Sequence, residues 1–155
     1  MNMPFALAEF NHGNPIVALD LVDIMATKTV CLCGPSLTGK TAFAIAVTTA
    51  PVGSNVIKIS TMEHLRQVTA ATTAIVFDDM DFNNCSTETM LQLLNPEWLC
   101  SIELRNVDAE IPAGCHRIIT TNHSMGTILP PASSKIQKAA MDRRMHVLTV
   151  TEHLF

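Results

Sequence analysis

Gly34-Pro35-Ser36-Leu37-Thr38-Gly39-Lys40-Thr41 is the stretch that decides how this chain is read. The octet fits GxxxxGK[ST], the pattern of a loop that wraps phosphate in backbone N–H groups. Glycines at 34 and 39 permit close approach and unusual backbone angles. Lys40 brings an ammonium to the β- and γ-phosphates, and the Thr41 hydroxyl suits Mg2+. The flanks agree with the motif. The apolar run Thr29–Cys33 precedes it as a strand would, and the Ala-rich stretch 39–50 follows it as a helix would. A turn before a helix, with a chance Lys-Thr pair, is the bland alternative; it accounts for neither flank. Gly34, Pro35, Ser36, Leu37, Thr38, Gly39, Lys40 and Thr41 are therefore the expected ATP-binding residues.

Downstream, the apolar run 74–77 ends in Asp78-Asp79. Acids at the C-terminal end of a buried strand can reach a metal held at the first loop, because ligands of open α/β sheets bind in that crevice. Asp78, with Thr41, is the expected Mg2+ holder, and Asp79 the acid that orients the attacking water. The alternative is a solvated turn containing Asp78, Asp79 and Asp81. A third run, 117–120, leads through Thr121 to Asn122, which is placed either to hold the water beside the γ-phosphate or merely to cap a strand. Asp142-Arg143-Arg144 precedes the last run. A guanidinium keeps its charge and its planar fork fits phosphate oxygens, so Arg143 or Arg144 could serve a neighbouring subunit as a finger. A solvated helix end is the plainer reading.

Five short runs, Thr29–Cys33, Val56–Ile59, 74–77, 117–120 and 146–150, are mostly continuous rather than alternating. That suits parallel strands buried on both faces. Helical segments are expected over 15–28, 39–50, 61–71, 86–94 and 135–145, with Thr61 and Glu88 as N-terminal signals. Residues 95–112 read as a hairpin or loop excursion, and 124–134, with Gly126, Pro130 and Pro131, as a loop. The expected fold is α/β: a three-layer P-loop NTPase with a mostly parallel sheet flanked by helices. Residues 1–28 form a helical lead-in and 29–155 the NTPase core.

In this order the motifs resemble the superfamily 3 helicase domain of viral replication proteins. The replication-associated proteins of circular single-stranded DNA viruses are the nearest likeness, with the picornavirus-like RNA virus helicases in the wider group. Gly34–Thr41 matches Walker A, 75–79 Walker B with its paired acids, and 117–122 motif C with its sensor Asn122. The resemblance spans about residues 28–150. It implies an AAA+-like domain that hydrolyses ATP with Mg2+, assembles as a homo-oligomeric ring or hexamer, and moves along single-stranded DNA, or RNA, in the nucleus or cytoplasm of a host. It also implies catalytic roles for Lys40, Asp79, Asn122, Arg143 and Arg144. The strand-contacting hairpin would fall at about 98–114, where Arg105 is the lone basic residue; Lys135 and Lys138 are the next candidates for nucleic-acid contact. The family's nicking domain uses a tyrosine, and this chain has none. The helical segment upstream of the family's core is expected to be truncated. The rival readings are another P-loop NTPase or small-molecule kinase, and a nucleotide-binding remnant without catalysis.

Composition sets the outer limits. Of 155 residues, 48% are hydrophobic and 15% charged, which excludes a disordered solvating chain. Aromatics are only 5%, so the core is built from aliphatic residues and Met. The net charge of −4 excludes a basic nucleic-acid coat, but it hides an acidic middle and a basic C-terminal third. Five cysteines with no CxxC pair read as free thiols in a reducing compartment rather than a disulfide framework or a zinc site. No run is long enough to span a membrane, and 1–15 lacks the basic start and apolar core of a signal peptide.

Overall fold

The structure, a computed structural model, describes residues 18–36 and 38–151. The expected lead-in over 1–17, Leu37 of the loop and the end of the core at 152–155 lie outside the described residues. In chain order the elements are α1 (Ala18–Met25), β1 (Thr29–Cys33), α2 (Lys40–Thr49), β2 (Val56–Ile59), a 3-10 helix (Met62–Gln67) and β3 (Ala74–Asp78). There follow α3 (Thr87–Leu93), β4 (Cys100–Glu103), β5 (Asp108–Ile111), β6 (His116–Thr121), α4 (Met125–Ile128), α5 (Lys135–Arg143) and β7 (Met145–Thr149).

The main sheet has five strands in the order β2-β3-β6-β1-β7. All of its pairings are parallel. Its central strands are almost entirely buried because each face meets a separate core, as side chains alternate along a strand. Val30 and Leu32 of β1, Val76 of β3 and Ile118 of β6 pack with Leu21 and Met25 of α1 and Phe43, Ala44 and Val47 of α2. The intervening residues Cys31, Cys33, Ile75, Phe77 and Ile119 point to the other face. There they meet Met90 and Leu93 of α3, Ile102 and Ile111 of the β4–β5 hairpin, and Met141 of α5. The fold is thus the expected α/β sandwich of a mostly parallel sheet between helices. Cys31 and Cys33 lie buried on one face, and all five cysteines are free.

Residues 95–112 do form an antiparallel hairpin, with Cys100 opposite Ile111 and Glu103 opposite Asp108. It alternates buried and exposed residues because only one of its faces is covered. Two helical readings are revised. Over 61–71 the chain makes only the 3-10 helix Met62–Gln67, and Thr61 makes no side-chain cap bond. The hydroxyls of Thr69 and Thr72 take the backbone N–H groups of Ala71 and Thr69 and hold the segment in a turn. Within 124–134, expected as loop, the short helix Met125–Ile128 forms. Helices α3 and α5 are capped by Ser86, which accepts from the Thr89 amide, and Ser134, which accepts from the Gln137 amide.

Arg117 is a feature of the fold that the sequence reading did not anticipate. It sits in the middle of the sheet, fully buried, with Nη1 donating to the Cys115 carbonyl at 2.5 Å and Nη2 to Cys100 Sγ at 3.6 Å. Its Nε has no partner among the described residues. Burial alone depresses its pKa, but a guanidinium stays charged. The side chain therefore ties β6 to β4 at the cost of a buried cation.

The buried thiols make stability pH-dependent. Burial pushes the Cys115 thiol from 9.0 up to about 11, and raises Cys31 as well. An unfolded chain ionises these thiols near pH 9 while the folded chain keeps them protonated. Their contribution is therefore intact below about pH 9 and is lost as the pH rises toward 11. Cys115 alone should account for a loss of about 2–3 kcal/mol across that window, at roughly 1.4 kcal/mol per pH unit. Urea unfolding at about pH 8 and about pH 10.5 should show the drop, and Cys115→Ala should make it smaller.

Candidate active site

β1, β6 and β3 lie side by side and end at one edge of the sheet, and their register decides what meets there. Cys33 is opposite Thr121, and Asp78 is opposite Thr120. The residues that follow, Gly34, Asn122 and Asp79, therefore leave the sheet together. Backbone bonds extend the alignment: the Gly34 N–H donates to the Thr121 carbonyl at 3.1 Å, and the Asp79 N–H to the Thr120 carbonyl at 2.8 Å.

A cavity of about 300 Å³ opens at this edge. Ser36, Gly39, Lys40 and Thr41 line it from the loop and α2; Asp78, Asp79 and Asn122 line it from the strand ends. Gly39 caps α2 in the left-handed conformation, with φ 86°, where glycine is favoured. The N-terminus of α2 thus faces the cavity with its unpaired amides, the arrangement that attracts anions. Gly34 is required for a different reason. A Cβ there would lie 2.0 Å from the Val150 carbonyl oxygen. The chain after β7 closes against the start of the loop, with the Val150 N–H donating to the Cys33 carbonyl at 2.6 Å.

Lys40 is only 6% exposed. Its Nζ donates to the Gly34 carbonyl at 2.9 Å, the Pro35 carbonyl at 2.5 Å and Thr38 Oγ1 at 3.2 Å. Among the described residues no carboxylate comes within 4.0 Å to pair with it. Burial depresses its pKa, opposed by the charges of Asp79, Cys33 and Asp78. A buried cation held by neutral oxygens at the wall of a cavity is costly until an anion joins it. Across the cavity, Thr41 Oγ1 donates to Asp78 Oδ1 at 2.7 Å, and Thr120 Oγ1 donates to the same oxygen at 2.9 Å. A hydroxyl beside a carboxylate is a hard oxygen set that fits Mg2+, which takes few protein ligands and completes its shell with phosphate and water. Among the described residues there is no cluster of three or more acids, His or Cys able to hold a metal alone. Asp79 is exposed and adopts φ 53°, a left-handed conformation uncommon for a residue with a side chain.

Other expected residues lie elsewhere. Arg143 and Arg144 precede β7, so they sit at the opposite edge of the parallel sheet, about 16 Å away along a five-residue strand. Arg143 is exposed, whereas Arg144 is half-buried and donates from Nη1 to the Ala140 carbonyl at 2.9 Å. Asp142 pairs with Lys138 at 3.4 Å rather than with either arginine. Arg105 is exposed at the hairpin turn, where its amide donates to Glu63 Oε1 at 3.2 Å. Glu63, Asp81 and Glu103 line the same cleft as Arg105. Lys135 and Lys138 are exposed on α5. The sequence reading passed over Thr120; alternation from buried Ile119 would have placed it on the opposite face, but only the strand register sets it against Asp78.

Gly34→Ala should destabilise the chain by about 2–3 kcal/mol, since the clash is with backbone that cannot rotate away. Urea unfolding at neutral pH measures this; a stability equal to the parent's would show that the Val150 segment is free to move aside.

No protein-family model and no curated protein matches this sequence. Solved structures do resemble its fold. The JCV helicase, crystallised with N-(4-(2-(thiazolo[5,4-c]pyridin-2-yl)phenoxy)phenyl)acetamide, shares 13% identity at a TM-score of 0.55, over 94% of this chain and 44% of the helicase chain. The apo A form of the NrS-1 C-terminal region shares 14% identity at a TM-score of 0.53, over 98% of this chain and 38% of that one. The chain spans less than half the length of either structure. Identities this low establish a shared helicase-like α/β fold. Among the described residues, no helix is long and apolar enough to cross a membrane.

Proposed function

We propose that this chain is an ATP-hydrolysing motor core of the superfamily 3 helicase type, acting with Mg2+ on single-stranded DNA or RNA. The observation that carries the reading is Lys40: a buried ammonium without a carboxylate partner, at the wall of a cavity that also holds Thr41, Asp78, Asp79 and Asn122. A triphosphate supplies the anion that this cation lacks. The loop amides and the α2 N-terminus would hold the phosphates, and Lys40 would neutralise charge that grows on the γ-phosphate oxygens. Mg2+, if bound there, would supply neutralising charge to the phosphates. Thr41 and Asp78 are the residues to hold it. Asp79 and Asn122 face the cavity from adjacent strand ends, where they would orient the attacking water and keep the Asp79 carboxylate ready to receive its proton. The likeness in fold to the JCV helicase supports this reading over a small-molecule kinase.

The arginines fit an assembly. At the far edge of the sheet, neither reaches the cavity of its own chain, so on this reading a catalytic arginine would come from a neighbour in a ring. Arg143, which is exposed, suits that role better than Arg144, which is half-buried and bonded to the Ala140 carbonyl. On the nucleic-acid face, Arg105 stands among three acids, so the phosphate contact should fall mainly on Lys135, which has no acidic partner among the described residues, and on Lys138. The free thiols suit an intracellular compartment, nucleus or cytoplasm.

Lys40→Ala should weaken ATP binding by at least tenfold in calorimetry and leave the thermal midpoint close to the parent's. Asp79→Asn should keep ATP bound and lower turnover by about 100-fold or more, since water positioning matters mainly in the transition state. Equal turnover in Asp79→Asn and parent would remove Asp79 from the chemistry. For the arginine, two inactive proteins, Lys40→Ala and Arg143→Ala, are mixed. Recovered turnover would place the finger in trans; no recovery in assemblies shown by mass to be mixed would assign Arg143 another task.

A further inference from the structure

Asp78 carries out two jobs at once if it holds a metal: it must stay ionised, and its carboxylate must point at one place. The second is not met by a strand-end aspartate unaided, because its side chain is half-exposed and free to rotate about two bonds. Thr41 cannot supply the restraint, since its hydroxyl is itself needed at the metal. Thr120 is the other partner. It is 2% exposed, in the middle of the sheet and directly opposite Asp78 in the β3–β6 register. Its hydroxyl donates to Asp78 Oδ1 at 2.9 Å, and its carbonyl accepts the Asp79 N–H at 2.8 Å.

We propose that Thr120 is the positioning residue of this site, orienting the Asp78 carboxylate for Mg2+ through its hydroxyl while its carbonyl holds the turn that presents Asp79. The proposal rests on the nucleotide-binding reading above. Its physical basis is specific. The β-branched threonine has few rotamers in a strand, and burial removes water as a competing acceptor, so the hydroxyl has one direction and one acceptor. Both hydroxyl bonds fall on Oδ1, which leaves the other carboxylate oxygen uncommitted by either. Groups that orient a ligand in this way commonly matter about 10- to 100-fold in metal affinity.

Thr120→Val removes the hydroxyl, keeps the branched shape and keeps the carbonyl that holds Asp79. Thr120→Ser restores the hydroxyl without the methyl. Binding of a fluorescent ATP analogue is titrated in EDTA and across a Mg2+ series, with thermal midpoints taken in parallel. The valine variant should bind the analogue in EDTA as the parent does, because Lys40 and the loop are untouched. The Mg2+ concentration giving half of the metal-dependent gain should rise about tenfold or more. Serine should bring it back toward the parent's value. A valine variant with the parent's Mg2+ requirement overturns the proposal, as does one that loses affinity equally with and without Mg2+, the mark of a structural role. If valine prevents folding, Thr120→Ala carries the same measurement. A parent chain that binds no nucleotide at all would instead overturn the phosphate-loop reading, and this inference with it.

Discussion

The parallel register of β1, β6 and β3 is the constraint on which this molecule depends. Hydrogen bonds set Cys33 beside Thr121 and Thr120 beside Asp78. From that alignment it follows that the loop after β1, the paired aspartates and Asn122 emerge at one edge, from segments far apart in sequence. A slip of one residue would turn each strand's side chains to the opposite face. Such a slip is resisted from both sides, because the two cores are built from alternate residues of the same strands. The site inherits its precision from the packing of the sheet rather than from contacts of its own.

Much of this was legible in the sequence, and for a local reason. A phosphate loop needs fixed residue types at fixed offsets, and a twice-buried strand needs an uninterrupted apolar run; both are visible within a dozen residues. Gly34–Thr41, Asp78, Asp79 and Asn122 are read in that way, and of them Ser36, Gly39, Lys40, Thr41, Asp78, Asp79 and Asn122 line one cavity. What was not legible depends on pairing across distance. Thr120 looks like one polar residue among several at a strand end until Asp78 is placed opposite it. Arg117 reads as the polar start of a strand, yet it lies in the middle of the sheet because β4 and the Cys115 carbonyl come round to meet it. The 3-10 helix was missed because threonine hydroxyls competed for amides that a helix would have used.

Arg117 and Lys40 are both buried cations without a carboxylate partner among the described residues, and their surroundings separate their roles. Arg117 is fully buried, with its terminal nitrogens bonded to a carbonyl and a thiol. Lys40 stands at a wall with open space before it. The first cation is structural and ties the hairpin to the central strand. The second lines a cavity wide enough to admit an anion.

The backbone at Asp79 bears on which substitutions that position can accept. With φ at 53° it tolerates glycine without strain and asparagine or aspartate at modest cost, while valine, isoleucine and threonine are excluded by their branched Cβ. The carboxylate is thus drawn from a short menu, set by the turn before any chemistry is considered. Glutamate, though chemically equivalent, pays more for the same geometry and would carry its oxygens one methylene further from the sheet. A survey of tolerated residues here would report on steric permission first and on catalysis second, and the two become separable only when stability and turnover are measured on the same variants.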